Sequence, residues 1–171
     1  MRERLLIASV VLVLCLGTSM KTRADSAWKP SRQLHINGYS YHIHSDSRDA
    51  NDFLVGLGLT WDIKRVDLNW LKLTDVVIAF EGDVFKDSGY EWALGAGISL
   101  RKAVSVFEIG VSCGLTYKKH LYEEHGSPLF PYALPFIQSN FDHRINVRVT
   151  WVPPVRKETD NQVLFQLLVD F

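Results

Sequence analysis

The sequence predicts an all-β chain, specifically an eight-stranded antiparallel transmembrane β-barrel. Three observations predict it. Beyond an N-terminal apolar segment, apolar residues alternate with small or polar ones at a period of two. About eight such segments occur, an even number, and most are near the length a tilted strand needs to cross a bilayer. Gly, Ser, Thr and Ala crowd the second face, where a soluble sandwich would carry charge.

The first 24 residues fall outside the fold. Arg2 and Arg4 precede a dense apolar run, Leu5 to Leu16, and Thr22-Arg23-Ala24 offers a small-x-small cleavage site. That is the pattern of a secretory signal peptide, too short in its apolar part to span a bilayer as a mature helix. Cys15 as a lipid attachment site is disfavoured by Val13 and Leu14 before it. The mature domain is then residues 25–171, enough for one domain. Charge is balanced at 19 basic and 19 acidic residues. No basic field invites nucleic acid. Cleavage leaves one cysteine, Cys113, and therefore no internal disulfide. No second apolar stretch approaches twenty residues.

The segments run at about 34–44, 53–63, 75–85, 90–100, 105–117, 131–141, 144–152 and 162–171. Alternation is clearest from Phe107 to Tyr117, where every odd position is apolar or aromatic. Ile145 to Trp151 repeats it with Arg148 on the polar face, and Val163, Phe165, Leu167, Val169 and Phe171 form one face of the last run. Tyr39, Tyr41, Trp61, Trp92, Tyr117, Tyr132 and Trp151 lie near segment ends, as interfacial girdles require. Phe171 is a terminal aromatic of the kind that ends outer-membrane strands. With both termini on the inner side, the outer loops are 45–52, 86–89, 118–130 and 153–161. The inner turns are 64–74, 101–104 and 142–143.

This topology puts His42, Asp87 and Ser88 at one rim. A histidine can act as general base to a serine, and a carboxylate can orient the imidazole. Ser, Asp and His abound at barrel rims, so on spacing alone these read first as ordinary solvated rim residues. His42 and His44 share a face, but no cysteine or carboxylate stands at a ligand's spacing, so no metal site and no cofactor are expected.

Phe85-Lys86-Asp87-Ser88, followed by Trp92 and Gly95-Ala96-Gly97, resembles the signature segment of the lipid A palmitoyltransferase (PagP) family. Ser40-Tyr41-His42 is similar to its first strand. Leu134-Pro135, Thr150-Trp151-Val152-Pro153 and the last strand are similar to its final third, and the likeness runs over most of residues 34–171. The resemblance implies a monomeric outer-membrane acyltransferase that moves a palmitoyl chain from a phospholipid donor to lipid A or a related lipid acceptor. By position, His42, Asp87 and Ser88 would be catalytic, and Gly97 would gauge acyl-chain length. Pro135 and Pro153 would mark a lateral lipid gateway, because proline removes a ladder N–H. The family's second proline-weakened opening has no counterpart, since no proline occurs between 31 and 127. Gly56, Gly58, Gly95, Gly97, Gly110 and Gly114 leave lumen space, and Leu164 and Leu168 add apolar wall. Taken with the resemblance, they favour a lumen suited to hydrocarbon over a barrel packed solid in the ordinary way.

Two other functions are compatible with such a barrel. A lipid A deacylase would carry His-x-Ser on one strand, whereas His44 and Ser45 are adjacent here. A non-enzymatic structural barrel would lean on long outer loops, of which only 118–130 is a candidate.

Overall fold

Eight antiparallel strands close on themselves in sequence order. The computed structural model describes residues 29–43, 53–86, 91–119, 126–140, 144–153 and 161–171. The strands are β1 (Arg32–Ile43), β2 (Phe53–Leu68), β3 (Leu73–Lys86), β4 (Trp92–Val104), β5 (Phe107–Lys118), β6 (Leu129–Ser139), β7 (Ile145–Val152) and β8 (Asn161–Asp170). Each pairs with its sequence neighbour, and β1 pairs with β8 from Gln33–Asp170 to Ile43–Asn161. Closure gives every strand a neighbour on both sides.

The two rims differ. β1 starts and β8 ends at one of them, here the turn rim, and the links after β2, β4 and β6 return there. The links after β1, β3, β5 and β7 lie at the opposite, loop rim. The β4–β5 link is a two-residue turn, Ser105-Val106, with left-handed backbone at Ser105 (φ 58°).

The β2–β3 link corrects the expected inner turn at 64–74. Both strands continue into that stretch, and the connection shrinks to a 3₁₀ turn at Asn69–Leu71 with Lys72 after it. Register shifts between Asp62 and Lys64 and again between Val66 and Leu68 explain why period two does not carry through. An extra residue in one strand inverts the alternation beyond it. Asp67 accepts the Asp75 N–H at 2.9 Å and holds the second irregularity. Val66, Leu68, Val76 and Ile78 gather there with Leu73 and Leu100 in a small apolar cluster.

Burial is inverted relative to a water-soluble protein. Among the described residues, Leu57, Ile63, Trp92, Leu115, Ile145 and Trp151 are typical of the many large apolar side chains left exposed on the outer face. The fully buried set is dominated by His35, Thr60, Glu81, Ser99, Arg101, Gln138 and Arg148. Single exposed apolar residues are ordinary, but a contiguous apolar belt around a whole barrel is not.

Candidate functional site

Of the three residues expected to be catalytic, only His42 lies among the described residues. β1 and β3 run in the same direction, so His42 and Lys86 end at the loop rim. His42 is half-buried, shares its face with the fully buried Ser40, and sits in register with Gln162 of β8. The exposed Tyr39 and Tyr41 alternate with it on the outer face. Asp87 and Ser88 follow Lys86 directly and lie outside the described residues.

Beneath this rim the inward positions mix apolar side chains, Phe85, Ala93, Phe130, Leu134 and Leu164 with Tyr132 among them, with polar Thr116, Lys118 and Gln162. Ala93 is buried and the others are half-buried. Lys118 at the same rim holds its ammonium 5.9 Å from the centre of the Phe85 ring.

The seam between β6 and β7 is the second component. Its ladder has three registered pairs: Gln138–Arg148, Ile137–Val149 and Phe136–Thr150. Towards the loop rim, β6 still pairs with β5 as far as Leu129, and β7 with β8 as far as Val152. Their own pairing stops where Pro135 would face Trp151. Pro135 has no N–H to offer, and Pro153 follows the last residue of β7. Towards the turn rim the seam is latched by the Ser139 hydroxyl, which accepts the Val147 N–H at 2.9 Å.

The middle and lower lumen departs from the expected hydrocarbon-lined space. Glu81 accepts hydrogen bonds from Arg148 Nη1 (2.8 Å), Ser112 Oγ (2.6 Å) and, at 3.4 Å, Thr60 Oγ1. Arg148 also donates through Nε and Nη2 to Gln138 Oε1, and its guanidinium lies 4.2 Å from the Phe136 ring centre. Gln138 Nε2 donates to Glu108 (2.6 Å), Glu108 faces Arg101 Nε (2.8 Å), and Arg101 Nη2 donates to Asp62 (2.6 Å). Fully buried His35 places Nε2 2.6 Å from Thr60 Oγ1 and Nδ1 3.5 Å from Asp83. A narrow barrel must fill its interior, and buried charge persists only when each charge is matched.

The glycines serve this packing. A methyl group at Gly97 would collide with the Cys113 carbonyl oxygen and stand 2.8 Å from the Tyr132 hydroxyl. At Gly114 the same hydroxyl would stand 2.7 Å away. Gly110 makes room for Phe136, and Gly58 for Asp83. The space beside Gly97, expected to gauge an acyl chain, therefore holds the tip of Tyr132. Pro135 is exposed on the outer face and Pro153 is half-buried.

The polar lumen residues were signalled only weakly in the sequence. Arg148 stands out as a charge within an otherwise apolar and small-residue alternation. His35, Thr60 and Glu81 gain meaning only once register places them on one level.

No protein-family model matches this chain, and no curated protein matches it in sequence.

Proposed function

We propose that the protein is an outer-membrane acyltransferase that moves a long acyl chain, palmitoyl in the first instance, from a phospholipid to lipid A or a related lipid acceptor. The observation that carries this reading is the open upper part of the β6–β7 seam, bounded by Pro135 and Pro153. It offers a lateral way from the outer face to the half-buried apolar side chains under the His42 rim. The inverted burial supports a bilayer setting, which strands cross as a closed barrel.

In this reading the acyl chain enters through the seam and lies among Phe85, Phe130 and Leu164, with its ester at the rim. The Ser88 hydroxyl attacks the donor carbonyl as His42 takes its proton. That proton goes to the departing lysophospholipid oxygen. The acceptor hydroxyl then attacks the acyl-serine ester, gives its proton to His42, and Ser88 recovers one on release. Asp87 orients the imidazole. Gly97 and Tyr132 set how deep the chain can reach.

Lipid A masses from a Gram-negative host test the proposal. Expression of the wild type adds one acyl chain, and Ser88→Ala and His42→Ala each abolish the added mass while the barrel still accumulates. Loss of a chain would assign a deacylase, and unchanged lipids would leave a structural barrel.

A further inference from the structure

The β6–β7 seam is closed by less backbone pairing than the seams on either side of it. It has three registered pairs, against eleven between β5 and β6 and eight between β7 and β8. Nearer the turn rim, the Ser139 hydroxyl adds a side-chain tie by donating to Asn146 Oδ1 at 3.2 Å. The three pairs themselves are tied from inside the lumen by one side chain, Arg148.

Arg148 leaves β7 buried and turns its guanidinium back across the seam. Nε and Nη2 both donate to Gln138 Oε1, at 3.0 and 2.8 Å. The same group lies 4.2 Å from the ring centre of Phe136, which is itself buried. Gln138 and Phe136 are the two end residues of the three β6 positions that pair with β7. Nη1 reaches the other way, to Glu81 of β3 at 2.8 Å. β3 and β7 stand on opposite sides of the closed barrel. A planar fork can serve both directions at once, and its hydrogen bonds are charge-assisted.

We infer that Arg148 is a positioning residue that sets where the β6–β7 seam closes, and with it how bulky an acyl chain can pass. The unpaired stretch begins one position beyond the Phe136–Thr150 pair. Arg148 grips β6 at that last pair and at Gln138, and Glu81 anchors the grip to the opposite wall. Without it, three backbone pairs alone hold this part of the seam, and the opening extends towards the turn rim. The closing role stands on this geometry. The selectivity rests on the acyl-transfer reading, in which the seam is the way in for the lipid.

Three variants test it. Arg148→Lys keeps a charge opposite Glu81 but has no fork with which to reach Gln138 as well. Gln138→Leu removes the acceptor on β6 and leaves the Arg148–Glu81 pair. Ser112→Ala is the control, because it removes a hydrogen bond to Glu81 while Arg148 and Gln138 stay joined. Amide exchange of the detergent-solubilised barrels is read at the seam-facing amides of residues 136–138 and 148–150, relative to the amides between β4 and β5. Arg148→Lys and Gln138→Leu each raise that ratio at least about tenfold, and Ser112→Ala leaves it within about twofold. An unchanged ratio in either folded variant, or the same rise in Ser112→Ala, overturns the inference. Selectivity is read with purified protein in vesicles holding lipid A and equal amounts of palmitoyl and oleoyl phosphatidylethanolamine. Arg148→Lys raises the oleoyl share of the transferred chains at least about threefold over wild type, and an unaltered share overturns the selectivity. A wild type that transfers nothing removes the acyl-transfer reading and the selectivity with it, while exchange still decides the closing role of Arg148.

Discussion

A methyl group is the smallest change that separates the two roles available to Gly97. It would meet the Cys113 carbonyl oxygen and the Tyr132 hydroxyl, so Gly97→Ala is expected to cost about 1–3 kcal/mol by overpacking. Denaturant unfolding of the detergent-solubilised barrel measures this. Tyr132→Phe in the same background removes the hydroxyl but leaves the carbonyl, so it recovers part of the loss. If Tyr132 also forms the floor of the acyl site, Tyr132→Ala shifts the transferred chain towards greater length, read in lipid A masses. The buried pair Glu81–Arg148 gives a second residue-scale expectation. Glu81→Leu strands the Arg148 guanidinium and should cost about 3–5 kcal/mol, whereas Glu81→Leu with Arg148→Met costs less because no charge is left alone. A double-mutant cycle of unfolding free energies decides it.

Among the described residues, the β6–β7 seam has the shortest ladder, three registered pairs. Amide hydrogen exchange should divide it at Phe136–Thr150. Those amides of Leu134, Trp151 and Val152 that point into the seam should exchange at least about tenfold faster than the paired amides of Ile137 and Val149. That corresponds to about 1.4 kcal/mol less opening free energy. Equal protection along the whole seam would remove the lateral route. The eight strands were legible in sequence because outward and inward faces differ in side-chain size, so period two survives in each segment. The ends of β2 and β3 were not legible, because the shift at Asp62–Lys64 inverts the phase. Pro135, the first β6 residue past the last β6–β7 pair, was legible as a residue unable to donate to a ladder, since a missing N–H is a property of the residue itself. The ionic lumen was not. Glu81 and Arg148 lie 67 positions apart, and nothing local to either residue announces the other. Small residues facing inward suggested an open space, whereas Tyr132 and Phe136 reach across from β6 to fill it.

At the scale of the whole molecule, the outer face decides whether the barrel sits in lipid. Leu57 is 57% exposed in the barrel portion of β2, and Val104 is 49% exposed at the turn-rim end of β4. In a bilayer these positions differ in depth. An arginine at Leu57 must bring its charge near the hydrocarbon midplane, which costs about 2–4 kcal/mol, whereas one at Val104 reaches the interface at about 0–1 kcal/mol. In water the two substitutions would be nearly neutral and alike, because neither side chain is part of a buried core. The measurement is the unfolding free energy of Leu57→Arg and Val104→Arg in lipid vesicles. A depth-dependent difference places the apolar belt against hydrocarbon. Equal, small effects in protein that does not stay with the vesicles would make the belt a surface for some other covering, and would remove the setting on which acyl transfer between lipids depends.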